Sequence, residues 1–176
     1  MGAVPEAGVE RAGDDAEDEE DLSFFLSNLD SSIPIFVIGA CSNLIIRDGG
    51  IPGIVIKLGK NFSKIKYNIN DISVGAGCRD SYFAQICAKD GFDFSFLRTI
   101  PGNIGGAVKM NAGCYGSYLS DYLIGLTLIR KVLKEKNWIV YNMDQMGYSS
   151  DLSWIKDSDD HKLRHFFIKI DFFSAT

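Results

Sequence analysis

The pattern of apolar and polar residues divides the first half of the chain into short strands followed by one helix. Apolar runs rich in Val, Ile and Leu predict strands at residues 35–38, 44–47, 53–58 and 71–75, and Asp48-Gly49-Gly50 supplies turn chemistry between two of them. From Arg79 to Asp90 the apolar residues recur at helical spacing, and Gly91 is a natural C-terminal stop.

The second half of the chain returns to the strand pattern. Residues 126–130, 138–141 and 166–173 predict three strands, the first two separated by a polar turn. Short strands interrupted by a helix predict an α+β domain rather than a regular doubly wound sheet.

The N-terminal segment has a different composition from the rest. Residues 1–21 hold nine acids and one base, which gives this segment a net charge of −8. The whole chain has a net charge of −5, so the remainder carries +3. Almost no large apolar side chain is present in residues 1–20, which predicts a disordered acidic leader, with an acidic docking tail as the alternative. The ordered domain is expected to span residues 21–173 and to open with a short helix near Asp21.

Composition excludes several classes of protein. Hydrophobic residues make up 46% of the 176 residues, which is enough for a sizeable core. No apolar run reaches the roughly 20 residues of a membrane span, and no secretory signal is visible, so we expect a cytoplasmic protein without a membrane partner. The body lacks the dense basic stripe of a nucleic-acid binder. The four cysteines and two histidines show no metal-ligand spacing, so no metal is expected.

Two loops with small residues are candidate ligand sites. The first, residues 39–43, reads Gly-Ala-Cys-Ser-Asn directly after a predicted strand. Successive N–H groups at a strand end can bind phosphate oxygens, although a loop of this kind, taken alone, is more often an ordinary tight turn.

The second loop, residues 99–116, carries more information. It contains five glycines interleaved with Ile100, Ile104, Val108 and Met110. The apolar side chains would anchor the loop while the glycines leave backbone exposed, an arrangement that suits a flat aromatic ligand with a diphosphate. Its spacing is neither the dinucleotide GxGxxG fingerprint nor a P-loop.

These two loops resemble the flavin domain of the UDP-N-acetylenolpyruvoylglucosamine reductase family, also called UDP-N-acetylmuramate dehydrogenases. The family pattern Gly-x-Gly-Ser-Asn corresponds to residues 39–43, Asp-Gly-Gly to residues 48–50, and Ile-Pro-Gly-x-x-Gly-Gly-Ala-x-x-x-Asn-Ala-Gly-x-Tyr-Gly to residues 100–116. The resemblance covers roughly residues 21–173, and the third motif is long enough to make chance similarity improbable.

The resemblance implies a vanillyl-alcohol-oxidase/PCMH-type FAD-binding domain made of two α+β subdomains, with the boundary near residues 60–70. The first loop would hold the FAD pyrophosphate, and the second would lie along the rest of the cofactor. The residues carried over as cofactor-binding are Gly39, Ser42, Asn43, Ile100, Pro101, Gly102, Gly105, Gly106, Ala107, Asn111 and Gly113.

The resemblance also implies an activity. Family members use NADPH and bound FAD to reduce the enolpyruvyl group of a UDP-linked amino sugar to UDP-N-acetylmuramate, a step of peptidoglycan synthesis in the cytoplasm, and we expect a monomer. The family's following domain, which carries the proton-donating serine and much of the sugar site, is expected to be absent from this chain.

Two departures from the family pattern affect the expected chemistry. Cys41 replaces a glycine of the phosphate loop, where a side chain could crowd the pyrophosphate. The arginine that the family places after a Gly-Tyr pair is missing at Tyr148-Ser149, so no catalytic residue is assigned.

Three interpretations therefore remain open. The chain is the FAD-binding part of such a reductase, or a non-catalytic FAD- or nucleotide-binding remnant of one, or a different flavoprotein of the same fold. The missing arginine favours the second, and the long match at residues 100–116 argues against the third.

Overall fold

A computed structural model of the protein describes residues 9–10, 18–30, 32–69, 71–132, 137–144 and 165–173. Three α-helices lie in these ranges, α1 (Glu19–Ser27), α2 (Asp80–Lys89) and α3 (Ile104–Met110). The strands there are β1 (Val9–Glu10), β2 (Ile35–Ile38), β3 (Ile54–Lys57), β4 (Ile65–Tyr67), β5 (Asp71–Gly75), β6 (Gly113–Cys114), β7 (Ser117–Tyr118), β8 (Leu123–Val132), β9 (Asn137–Asp144) and β10 (His165–Phe173). No helix in the described ranges has the length and apolar character needed to cross a bilayer.

The strands form two sheets and a small hairpin. A parallel sheet has the order β1-β3-β2, and a five-stranded antiparallel sheet has the order β4-β5-β10-β8-β9, while β6 pairs with β7. The mixture of helices with separate parallel and antiparallel sheets confirms the α+β class. The chain passes from one sheet to the other through residues 58–64, and the division into two subdomains near residues 60–70 stays a prediction.

The larger core lies between the antiparallel sheet and helices α2 and α3. Its centre is an aromatic cluster in which the ring centroids of Phe83 and Phe94 are 4.9 Å apart, and Phe172 of β10 lies 5.4 and 5.5 Å from them. All three side chains are buried, together with Ile104 and Val108 of α3. Aromatic pairs at these distances stabilise a core beyond their area burial, so they hold α2 against the sheet, while Ile104 and Val108 pack α3 into the same core.

A second core joins the two sheets. Leu22 and Leu26 of α1 pack with Ile56 of β3 and Ile129 of β8. Phe62, which lies between β3 and β4, belongs to the same core. Since Ile56 belongs to the parallel sheet and Ile129 to the antiparallel one, the helix α1 and Phe62 fix the sheets relative to each other.

Helix α1 begins within the segment that composition assigned to an acidic leader. The Asp18 side chain accepts hydrogen bonds from the N–H groups of Glu20 and Asp21, and the helix runs from Glu19 rather than from about Asp21. Acidic side chains are favourable in the first helical turn because of the helix dipole. Residues 9–10 also form a strand; the remaining leader residues up to 17 lie outside the described ranges.

Most strand predictions are confirmed with small boundary changes, but the strand predicted at residues 44–47 is wrong. These residues have no strand pairing, and the Ile45 side chain is 94% exposed. A short apolar run predicts a strand only if a neighbouring edge is available to pair with it.

Helix α3 was missed because it lies inside the glycine-rich loop. Gly105 and Gly106 are adjacent within it, and glycine disfavours helix formation by about 1 kcal/mol per residue. Burial of Ile104 and Val108 in the larger core offsets this cost. The second candidate loop is therefore a loop, a short helix and a hairpin.

Candidate functional site

The two candidate loops meet at one open cavity of about 500 Å³. The first loop follows β2 directly, and the second reaches the same place where the chain enters α3. Asp80, in the first turn of α2, also lines the cavity. Ligand pockets typically have volumes of roughly 300–1,000 Å³, so this cavity is large enough to hold a substantial part of a nucleotide cofactor.

Most of the residues predicted to bind a cofactor line this cavity. The eight that do are Gly39, Ser42, Asn43, Ile100, Pro101, Gly102, Gly106 and Ala107. Residues that were not predicted to bind a cofactor also contribute, among them Val37, Ile38, Asp80, Asn103, Lys109 and Met110.

Three predicted residues lie outside the lining and contact protein instead. The Gly105 N–H donates to the Ala76 carbonyl. The Asn111 side chain accepts from the Ser120 N–H, and Asn111 itself ends α3 in the left-handed conformation. A Cβ on Gly113 would lie 2.4 Å from the Tyr118 ring, so this glycine permits the β6–β7 hairpin to close. Their direct contact with a cofactor stays a prediction.

Polar contacts hold the two loops together. The Ser42 hydroxyl donates to the Pro101 carbonyl, which leaves only its lone pairs to face a ligand. The Asn103 side chain donates to the Gly77 carbonyl at 2.6 Å, and its Oδ1 lies 3.0 Å from the position that a Cβ on Gly39 would occupy. Asn103 thus connects the turn before α2 with the first loop, and Gly39 leaves room for it.

The first loop lines the cavity with backbone N–H groups that are available as donors. Among the described residues, nothing accepts a hydrogen bond from the backbone N–H groups of residues 40–43. Cys41 adopts φ +60°, a left-handed conformation that is unusual outside glycine. Successive N–H groups in such a loop can bind anionic oxygens.

The cavity contains one cationic side chain among the described residues, Lys109. Partial burial lowers its pKa from the ordinary lysine value. Its positive charge can attract an anionic group, so Lys109 is compatible with a ligand that carries phosphate.

Asp80 is the most unusual side chain in the cavity wall. It is fully buried at the first turn of α2, and neither carboxyl oxygen has a hydrogen-bond partner in the described part of the chain. Burial raises the pKa of Asp80 to about 7. Burial also raises the pKa of the nearby Cys78 thiol to about 11, and electrostatic repulsion by Asp80 raises it further. A carboxyl of this kind is rare in a core unless a ligand interacts with it.

The residues present fit an FAD molecule. Backbone N–H groups and Lys109 suit a diphosphate, while Ile38, Ile100 and Met110 supply apolar contacts for a ring system. No group of three metal-ligating side chains occurs in the described part of the chain. The Tyr148–Ser149 segment, where the family arginine is expected, lies outside the described residues.

Comparison with known proteins agrees with this assignment. The model of the FAD binding domain family matches residues 15–131. The UDP-N-acetylenolpyruvoylglucosamine reductase of Paracoccus denitrificans (strain Pd 1222) is 50% identical over 114 residues, which cover 65% of this chain and 37% of that protein. The reductase of Jannaschia sp. (strain CCS1) is 44% identical over 132 residues, covering 75% of this chain and 42% of that protein.

Solved structures show the same fold. The crystal structure of the Thermus caldophilus reductase superimposes with a TM-score of 0.61 at 26% identity, covering 89% of this chain and 52% of that one. A solvent-stable cholesterol oxidase gives a TM-score of 0.65 at 11% identity over 95% of this chain and 34% of that one, a likeness of fold alone.

These findings confirm the vanillyl-alcohol-oxidase/PCMH-type fold and FAD as the cofactor. The chain spans about two-fifths of the length of its curated relatives, 37% and 42% for the two above. It belongs to the FAD binding domain family, and within that family it is similar to the UDP-N-acetylenolpyruvoylglucosamine reductases, as its two loops predicted.

Proposed function

We propose that this chain supplies the FAD-binding part of an NADPH-dependent reductase that converts UDP-N-acetylglucosamine enolpyruvate to UDP-N-acetylmuramate in peptidoglycan synthesis. The observation that carries the proposal is the cavity formed jointly by residues 39–43 and the start of α3, the two segments that match the family motifs. We place this activity in the cytoplasm, with the chain acting as a monomer on a UDP-linked amino sugar.

The chain's own residues would bind and orient the cofactor. The N–H groups of residues 40–43 would donate to the diphosphate, and Lys109 would balance its charge. Asn103 and the Ser42–Pro101 hydrogen bond would keep the two loops at a fixed separation. Bound FAD would supply the hydride-transfer chemistry, which amino-acid side chains cannot perform.

The site assignment is tested by blocking the cavity. Gly106 faces it with no atom within 4 Å of an added Cβ, so Gly106→Leu should fill ligand space without colliding with the protein. We expect at least a tenfold loss of FAD affinity, measured by quenching of flavin fluorescence, because the added side chain excludes part of the cofactor. Ala88→Leu on the exposed side of α2 is the matched control and should bind FAD like the unaltered chain. Equal affinity in both variants would place FAD elsewhere.

Reduction of the bound FAD by NADPH distinguishes the reductase from the non-catalytic remnant. The FAD complex is mixed with NADPH without oxygen, and the flavin absorbance near about 450 nm is followed. Bleaching of the flavin by NADPH is the result that the FAD-binding part of a reductase predicts. A complex that binds FAD but never bleaches would favour the remnant, which the absence of an arginine at Tyr148-Ser149 also favours.

A further inference from the structure

The Asp80 carboxyl is the cavity group whose chemistry the proposed function leaves unexplained. Its side chain lies beside Gly102, where an added Cβ would stand 2.7 Å from Oδ2 and 3.8 Å from the Ser42 hydroxyl. The Asp80 N–H donates to the Gly102 carbonyl at 3.3 Å, which fixes the start of α2 against the second loop. The carboxyl therefore lies at the place where the two loops meet.

An ionised carboxylate at this place would be costly. Both oxygens are buried and lack partners among the described residues, so ionisation is not compensated by hydrogen bonds. A diphosphate bound by the first loop would add further negative charge nearby. A protonated carboxyl avoids both costs and gains an O–H donor.

The neighbouring titratable groups do not change this argument. The first loop contributes Cys41, the turn before α2 contributes Cys78 and the exposed Arg79, and α3 contributes Lys109, whereas residues 100–103 contribute no charged group. Burial alone accounts for the raised pKa of Asp80, to about 7, so none of these groups holds the carboxylate as an ion partner.

We propose that Asp80 is protonated when FAD is bound and donates a hydrogen bond to an anionic oxygen of the cofactor at the junction of the two loops. Binding of FAD then takes up a proton at alkaline pH, and the affinity falls as the pH rises. The inference rests on the proposed FAD site and adds a pH dependence to it.

The test measures FAD affinity by fluorescence quenching between about pH 6 and pH 8.5. Above about pH 7 the affinity of the unaltered chain should fall by up to tenfold per pH unit, because each binding event requires one proton. Asp80→Asn keeps an N–H donor without a titrating group and should remove most of this fall while binding FAD well near pH 8.5. Asp90→Asn, at the exposed opposite end of α2, removes the same charge and should keep the fall.

A second measurement needs no variant. Calorimetric titration at about pH 8 in buffers of different ionisation enthalpy counts the protons taken up per FAD bound, and the proposal predicts close to one. Residual pH dependence in Asp80→Asn would report the other cavity groups, chiefly Lys109.

Several results would overturn the proposal while leaving the FAD site intact. The first is an FAD affinity that does not change with pH, or that rises with pH because the carboxylate accepts hydrogen bonds. The second is an affinity that falls with pH as steeply in Asp80→Asn as in the unaltered chain. The third is the absence of proton uptake in the calorimetric titration. No FAD binding at any pH would overturn both this inference and the proposed FAD site.

Discussion

The left-handed conformation of Cys41 is a source of strain in the first loop. Its φ of +60° costs a residue with a side chain roughly 1 kcal/mol more than it costs glycine. Cys41→Gly should therefore raise the free energy of unfolding by about 1 kcal/mol and the melting temperature by about 2–4 °C, measured calorimetrically. FAD affinity should be kept or improved, since the family pattern has glycine there.

Ala40→Gly is the matched control for this variant. Ala40 does not have a positive φ, so glycine there should lower the free energy of unfolding by roughly 0.5–1 kcal/mol. If both variants shifted stability in the same direction, the backbone conformation of Cys41 would not be the cause.

Asp80 predicts a pH dependence of stability in the chain without FAD. Its pKa rises from 3.8 to about 7 on folding, so the folded state holds the extra proton between these values. The stabilisation that Asp80 contributes is therefore fully present below about pH 4, is lost as the pH rises to about 7, and does not change further above that. The free energy of unfolding falls over this range by about 4 kcal/mol at most.

Urea denaturation at about pH 4.5 and pH 7.5 checks this effect. Asp80→Asn should lose less stability over this range than the unaltered chain, because the groups common to both proteins cancel in the comparison. Identical losses would mean that Asp80 ionises freely in the folded chain.

Individual site residues were predictable where a motif marked them. The glycines of the two loops could be identified because close backbone approach requires them, and Gly39 and Gly102 do lie beside Asn103 and Asp80. Asp80 itself could not be identified, since a charged residue at the start of a predicted helix is most simply a solvated one. Its burial depends on the second loop, which is about twenty residues away in sequence.

At the level of elements, α3 determines the shape of the cavity through two adjacent glycines. A Cβ on Gly105 would lie 2.9 Å from the Ala76 Cβ and 3.2 Å from the Ala76 carbonyl oxygen, so α3 would have to shift. Gly105→Ala should lower the free energy of unfolding by about 1–3 kcal/mol. Gly106→Ala meets open space and should raise it by roughly 0.5–1 kcal/mol through helix propensity.

Thermal or urea unfolding of both variants measures this difference. The two substitutions add the same methyl group to neighbouring positions of one helix, so they differ chiefly in what the methyl group meets. Equal stabilities would contradict the packing of α3 against the turn at Ala76.

Elements with strong periodicity were predicted well and those that depend on partners were not. The helix α2 and strand β5 have nearly the predicted bounds, because their patterns are clear and their ends carry stop signals. Residues 44–47 had the apolar pattern of a strand but no edge to pair with, and α3 had the composition of a loop but a core to pack against. Tertiary context decided both cases.

For the molecule as a whole, two sheets of different type place their connecting loops around one cavity. The parallel sheet supplies the first loop after β2, and the antiparallel sheet positions α2 and α3 through the larger core. The α+β class could be predicted from the pattern of strands and helix, and the fold type and the cofactor could be predicted because the motif at residues 100–116 is long and specific. The junction of the sheets through α1 and Phe62 involves contacts distant in sequence and could not be predicted.

If this cavity binds FAD, the purified chain should retain the cofactor. The most direct measurement is a titration of the purified chain with FAD, followed by removal of free cofactor and a visible spectrum. A yellow protein that absorbs near about 450 nm with about one FAD per chain is the result that the account predicts. A colourless protein that retains no FAD under any condition tested would contradict it.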